Sequence, residues 1–227
     1  MREGRGAPAL FFDFDNTLTQ GDVLDQVIER FSPDERWRDW EDAWEHGRLS
    51  ALECLRLQVE NLRATREAVL DFLDGVRVDP VFSEILAWAG AHGADVAIVS
   101  DSFEPLIRHV LENNGVRAPA IHANALAFDG DRLRPAFPHA DPACPRSANA
   151  KARHLLPFRR RRIVFAGDGR SDLDAALAAD VVFAKATLAR ELDARGAAYR
   201  PFDTLEPVLH YLRAEYRADR AARLRLV

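Results

Sequence analysis

Two carboxylates, Asp13 and Asp15, close the apolar run Ala9-Leu10-Phe11-Phe12 and stand one residue apart. Such a run reads as a buried strand, so both acids fall where the chain leaves the core. Three more stretches have the same character: Ser100-Asp101-Ser102 follows the apolar run 94–99, Asp168 and Asp172 lie in "GDGRSD" after the run 163–166, and Lys151 opens a helix leading into that run. In an open α/β sheet these positions collect at the carboxyl ends of the strands, where ligands bind. Asp13, Asp15, Asp168 and Asp172 with Ser100 and Lys151 then make a set of four carboxylates, a hydroxyl and an ammonium. Carboxylates without Cys or His suit a hard, oxygen-loving cation, and Mg²⁺ fits best. Lys151 and Ser100 would hold phosphate oxygens, helped by N–H groups of the turn after the first strand. That is the equipment of phosphoryl transfer, in which charge develops on oxygens and positioned donors supply the stabilisation.

The elements that must position these groups are legible as a rhythm. Apolar runs at 9–12, 94–99, 120–125, 163–166 and 181–184 are continuous, not alternating, as in strands covered on both faces. Helical spacing separates them at 81–91, 104–113, 172–179 and 188–195, with Gly93, Gly115 and Gly196 at the stops. The segment 124–134, centred on Asp129-Gly130, predicts a hairpin on the third strand. The fold class is therefore α/β, an open, doubly wound, mostly parallel sheet.

Between Gly21 and Val78 the rhythm changes, with no strand-like run and new helix starts instead. Ser32-Pro33-Asp34-Glu35 and Ser50-Ala51-Leu52-Glu53 both carry the Ser-x-x-Glu capping pattern, and Thr65 caps a further helix. The chain divides accordingly into a core of residues 1–20 and 79–227 and a small all-helical cap of residues 21–78. Within the cap, Trp37, Trp40 and Trp44 form a helical stripe that reads as the cap's own packing. A last helix is expected over 214–227.

Bulk properties exclude several classes. The 227 residues are 48% hydrophobic and 30% charged, with a net charge of −5, which gives no reason to expect nucleic acid. The Arg159–Arg162 run reads as a solvated loop or helix end. Cys54 and Cys144 are the two cysteines, too isolated for a disulfide framework or a thiolate metal site. No uncharged run reaches membrane-spanning length, and a cytoplasmic protein, monomer or homodimer, is expected. Only two of the 31 basic residues, Lys151 and Lys185, are lysines. In a chain that writes Arg almost everywhere, Lys151 stands out as a compact charge.

The ordered set "DFDNT", Ser100, Lys151 and "GDGRSD" resembles the four motifs of haloacid-dehalogenase-superfamily phosphatases over nearly the whole chain. The resemblance implies a Rossmann-like core, Mg²⁺ as cofactor and a small phosphomonoester as substrate. It makes Asp13 the nucleophile that forms an aspartyl-phosphate, and Asp15 the general acid and base whose backbone carbonyl also binds metal. Asp168 becomes the metal-binding carboxylate, and Asp172 the group orienting metal-bound water and Lys151. Ser100, Asp101 and Lys151 are the phosphate-binding set. Dehalogenase relatives lack the second Asp, so Asp15 argues for phosphate chemistry. A phosphotransferase or mutase would carry similar motifs, and a non-catalytic phospho-Asp switch is the remote alternative.

The helical insert resembles the cap of the phosphoserine-phosphatase-like branch, so selectivity is expected there. Arg56 falls where phosphoserine phosphatases grip a carboxylate, whereas Asp22 replaces their amino-binding Glu. The segment 121–151 resembles the neighbouring methionine-salvage phosphatases of a ketopentenyl phosphate. His139 and Phe137 are candidates for the pocket's edge.

Overall fold

Every residue of the first strand, β1 (Ala9–Phe12), is buried, and its side chains alternate between two hydrophobic clusters. Leu10 and Phe12 join one cluster, Ala9 and Phe11 the other. A strand with core on both faces needs no polar alternation, which is why the run is continuous. The structure, a computed structural model, describes residues 6–214. The helix expected over 214–227 lies outside the described residues, apart from Ala214.

Seven strands form one sheet in the order β4-β3-β2-β1-β5-β6-β7. They are β1, β2 (Asp95–Phe103), β3 (Ala120–Asp129), β4 (Arg132–Ala136), β5 (Ile163–Gly167), β6 (Val181–Ala184) and the short β7 (Arg200–Pro201). β1 pairs in parallel with β2 and with β5, Phe12 lying level with Ile98 and Ala166. Only β4 is antiparallel, joined to β3 through Gly130 at φ 61°. The chain visits β2 on one side of β1, then crosses to β5 on the other. The crevice at this reversal, beyond the strands' carboxyl ends, is the usual ligand position in such sheets. Around the sheet pack α5 (Val81–His92), α6 (Glu104–Asn113), the short α7 (Ala152–Leu155), α8 (Leu173–Ala178) and α9 (Ala186–Asp193). Gly93, Gly115 and Gly196 all take positive φ, as their helix-stopping role requires.

Between β1 and α5 lies a helical insert of α1 (Val23–Phe31), α2 (Arg36–Glu45), α3 (Ala51–Asn61) and α4 (Arg66–Leu73). The chain enters and leaves it at one place, where Thr19 bridges Val78. Ser50 and Glu53 form the reciprocal capping box at the start of α3, and Thr65 caps α4. The pattern at Ser32 does not do the same. The Ser32 N–H is spent ending α1 on the Ile28 carbonyl, and α2 begins only at Arg36, whose N–H meets the Asp34 carboxylate. Asp34, nearer than Ser32, wins the competition for that first N–H. The insert has no core of its own: Val27, Ile28, Val59, Val69 and Leu73 share one cluster with Phe12, Phe82 and Ile107.

The Arg159–Arg162 stretch is not simply solvated. Arg161 donates to the carbonyls of Ala7 and Pro8 and pairs with Asp95, clamping the start of β1. Lys185 stays outside the site, lying over the Phe202 ring.

Candidate active site

The floor of the site is made by strand ends. The Lys151 ammonium, 1% exposed, donates to Asp13 Oδ1 at 2.8 Å and to Asp172 Oδ1 at 2.7 Å. Asp172 Oδ2 in turn accepts the N–H groups of Asp168 (3.0 Å) and Gly169 (2.9 Å), so the loop after β5 wraps around this carboxylate. The fit demands Gly167, since a Cβ there would stand 2.6 Å from Asp172 Oδ2. Asp168 is oriented from the turn after the neighbouring β1: Asn16 Nδ2 donates to its Oδ2 at 2.7 Å and Thr17 Oγ1 to its Oδ1 at 3.1 Å. Asn16 sits at φ 51°, a left-handed conformation that Asn tolerates better than most residues. The N–H groups of residues 16–19 are consumed by the carbonyls of Phe14 and Gly21. The tight turn satisfies these four donors internally, which leaves the N–H groups of Phe14 and Asp15 as the turn's candidates for holding phosphate.

Oxygen atoms of Asp13, Asp168 and Asp172 lie within 4.8 Å of one another. An all-oxygen anionic set of this size fits Mg²⁺. Asp172 is fully buried beneath the cavity, whereas Asp13 and Asp168 line it, so these two are the better placed to face an ion. The Asp15 side chain turns elsewhere: Val23 and Leu24, at the N-terminus of α1, donate their N–H groups to its Oδ1 at 3.0 and 3.2 Å. Ser100 Oγ approaches its Oδ2 at a long 3.5 Å.

Electrostatics follow from this crowding. Burial, then the charge of Asp172, push Asp13 well above the usual carboxylate range, against the pull of Lys151. Burial and Asp22 raise Asp15 likewise, the two α1 N–H groups opposing them. Asp168, raised mainly by burial and next by Asp172, moves up to about 6. The attractions of Asp13 and Asp172 outweigh burial at Lys151 and hold it firmly charged.

Ser100 sits at a register shift between β2 and β3, where its Oγ accepts the Ser102 N–H at 3.0 Å in place of a ladder bond. Asp101, expected among the phosphate-binding residues, lines the cavity, and its side chain has a further duty. Its carboxylate accepts from Ser147 Oγ and from the N–H groups of Ala148 and Asn149, and so fixes the loop leading to Lys151. Asn149 Nδ2 adds bonds to the carbonyls of Ser100 and His122.

A cavity of about 190 Å³ opens between this floor and the insert, lined by Asp13, Asp15, Ser100, Lys151 and Asp168 below. Its roof includes Asp22, Asp25, Glu41, Trp44, Cys54 and Gln58. Arg56 is not in it; that side chain is exposed and lies over the Phe137 ring, 5.8 Å from its centroid. Phe137 packs against Phe103, and His139 joins His122 and His154, so neither edges the cavity. The tryptophan stripe divides its labour. Trp37 packs against the core, Trp40 lies under Arg36, and Trp44 reaches the cavity. Sequence reasoning missed Glu41 and Gln58. Gln58 carries a readable signal, a polar residue within the stripe Ala51, Cys54, Leu55, Val59 of α3.

A family model for the haloacid dehalogenase-like hydrolases matches residues 10–177. The chain belongs to the haloacid dehalogenase-like hydrolases. It is 28% identical over 206 residues to a 2-hydroxy-3-keto-5-methylthiopentenyl-1-phosphate phosphatase of Exiguobacterium sibiricum, covering 88% of this chain and 94% of that one. It is 29% identical over 209 residues to the protein of the same name from Geobacillus kaustophilus, covering 89% and 94%. Among solved structures, a phospho-aspartyl intermediate analogue of phosphoserine phosphatase superposes with a TM-score of 0.70 at 20% identity, over 91% of this chain and 99% of the other. A substrate-bound phosphoserine phosphatase gives 0.69, also at 20%, over 92% and 99%. Within this hydrolase family the doubly wound core and the α-helical insert of the chain are thus a shared fold.

Proposed function

We propose that this hydrolase cleaves a small phosphomonoester through a phosphoryl group carried on Asp13. The observation that supports it most is the Lys151 ammonium clamped between Asp13 and Asp172, with Asp168 in the same cluster. Lys151 holds Asp13 Oδ1, leaving the second oxygen to attack phosphorus. The bond to the leaving oxygen breaks as Asp15, whose raised pKa keeps a proton available, protonates it. Asp15, now ionised, then takes a proton from water; that water attacks the acyl phosphate and releases phosphate, regenerating Asp13. Mg²⁺, held by Asp13, Asp168 and the Asp15 carbonyl, would neutralise phosphate oxygens and the charge shared by the clustered acids.

Residues 21–78 act in this reading as the cap that excludes water and reads the leaving group. The names of the relatives put a ketopentenyl phosphate and phosphoserine among the substrates to be tried. Arg56, which lies over Phe137 and is not in the cavity lining, is left out of this reading. Among the described residues no helix is long and apolar enough to cross a membrane. The test is phosphate release from p-nitrophenyl phosphate with Mg²⁺, with chelator, and in Asp13→Asn. Turnover that stops in both controls supports the reading; an Asp13→Asn enzyme that keeps most of its activity overturns it.

A further inference from the structure

The insert is fastened to the core unevenly. After α3 it is stitched down at many points. The Ala64 N–H donates to the Asp131 carbonyl and Arg63 bridges Arg132, tying the strap between α3 and α4 to the β3–β4 hairpin. α4 and the chain behind it lie on α6: His109 Nε2 meets the Leu70 carbonyl at 3.0 Å, Asn113 Nδ2 donates to Asp74 Oδ1 at 2.6 Å, and Asn114 Nδ2 to the Val76 carbonyl at 2.9 Å. At the other end of α3 the picture differs. Around the turn between α2 and α3, residues 46–50, two hydrogen bonds reach the core among the described residues. Arg170 Nη1 donates to the Glu45 carbonyl at 2.8 Å, and the Ala51 N–H to the Pro145 carbonyl at 2.8 Å.

A second observation falls at the same edge. Beside the turn lies a cleft of about 500 Å³, lined by Gly47, Arg48 and Ser50 of the insert and by Pro145, Arg146 and Glu191 of the core. An edge bordering such a cleft has little packing to hold it. Trp44 and Arg170 line both this cleft and the catalytic cavity, so these two side chains form the wall between them. Arg170 has no ion pair among the described residues, for Glu191 is taken by Arg195. One hydrogen bond, even from a charged donor, keeps an edge closed without locking it. The footing of Arg170 is firm by contrast, since the segment 168–172 is wrapped on Asp172 through the N–H groups of Asp168 and Gly169.

Resting on the phosphatase reading above, we propose that Arg170 is a positioning residue, whose bond to the Glu45 carbonyl fastens the α2–α3 edge of the cap over the cavity. Release of that bond opens the cavity into the cleft, and substrate enters and the leaving group departs on this side, past Trp44. The strap and the α6 contacts serve as the hinge. Closure is thereby set from the core, by the loop that carries Asp168 and Asp172. While the edge is fastened, the phosphoryl group on Asp13 meets the water that Asp15 activates and no larger nucleophile.

The test compares the parent with Arg170→Met, Arg170→Lys and a hinge control, Asn113→Ala. Trypsin cleavage after Arg48, exposed in the turn, should speed up about tenfold in Arg170→Met, the worth of one hydrogen bond, and stay parental in Asn113→Ala. With Mg²⁺, p-nitrophenyl phosphate and added glycerol, the ratio of nitrophenol to inorganic phosphate should be near unity in the parent and rise in Arg170→Met. There a glycerol oxygen bonds to phosphorus as the bond to Asp13 breaks, its proton passes to Asp15, and glycerol phosphate leaves in place of phosphate. A merely structural role would lower the urea midpoint without moving this ratio. Arg170→Lys, which keeps a donor, should stand closer to the parent than to Arg170→Met in both readouts. Unchanged cleavage or an unchanged ratio in Arg170→Met, a lysine variant indistinguishable from it, or an equal gain in Asn113→Ala overturns the inference while the phosphatase reading stands. A parent that fails to hydrolyse p-nitrophenyl phosphate overturns both.

Discussion

Lys151 Nζ lies 2.7 Å from Asp172 Oδ1 with neither side chain more than 1% exposed, so this ion pair is sealed in the protein. Its geometry is completed by Asp13 on one side and by two backbone N–H groups on the other. Removing one partner of a buried pair leaves the other without a counter-charge, at a cost of about 3–5 kcal/mol. Lys151→Met should therefore lose both activity and roughly that much stability, measured by urea denaturation of the metal-free protein. A variant that is inactive but as stable as the parent would show that the clamp serves chemistry alone.

Gly167 makes a sharper steric case. A Cβ there meets Asp172 Oδ2 at 2.6 Å, its Cγ at 2.7 Å and a ring atom of Phe165 at 2.8 Å, and none of these can withdraw without disturbing β5 or the Lys151 clamp. Gly167→Ala should cost about 1–3 kcal/mol and depress kcat with it. Thermal unfolding and kcat measured on the same preparation would check both. Gly75, with open space around its Cβ position, is the matched control.

His154 provides the pH prediction. The Asn149 amide donates its Nδ2 to two carbonyls, so its Oδ1 faces His154 Nε2 at 2.8 Å and that nitrogen carries the proton. Burial, then the neighbouring His122 and His139, lower His154 from 6.5 to about 4. A depressed histidine means that the folded state binds fewer protons than the unfolded chain, so its contribution to stability is intact above pH 6.5 and is lost as pH falls toward 4. His154→Gln should gain stability relative to the parent across that window and show no such trend above it. Denaturation midpoints of the two proteins at stepped pH give the difference directly. A parallel pH profile would sink the assignment.

The sheet was readable because its strands are buried on both faces and so written as unbroken apolar runs; Leu10 and Phe12 against Ala9 and Phe11 show why. The floor of the site was readable for a related reason, since Asp13, Asp168 and Asp172 break those runs at fixed places with residues the core cannot absorb. The roof was far less legible. Arg56 looked like a ligand by position, yet on α3 it falls on the exposed face beside Phe137, while Gln58, two residues on, turns inward. Which face of an insert helix looks down depends on packing between helices, and a motif position says nothing about that. At Asp101 the sequence hides a second duty of the side chain. Beside Ser100 on β2 it points into the loop 147–149, because a carboxylate there satisfies two backbone N–H groups and a hydroxyl.

Asp15 is held by the insert itself, through the N–H groups of Val23 and Leu24, so the acid–base step depends on α1 being in place. In the proposed sequence Asp15 acts twice, protonating the leaving oxygen and then activating water. With p-nitrophenyl phosphate the first role is dispensable, because the nitrophenolate leaves unaided, whereas the second is not. Asp15→Asn should therefore release about one equivalent of nitrophenol per chain in a rapid burst and then stall with the phosphoryl group on Asp13. With alkyl esters, which need the proton, both steps suffer and turnover should fall by about 10²–10⁴ without a burst. Stopped-flow absorbance and intact mass of the quenched protein read the two steps separately. Steady turnover at the parental rate would remove Asp15 from the mechanism.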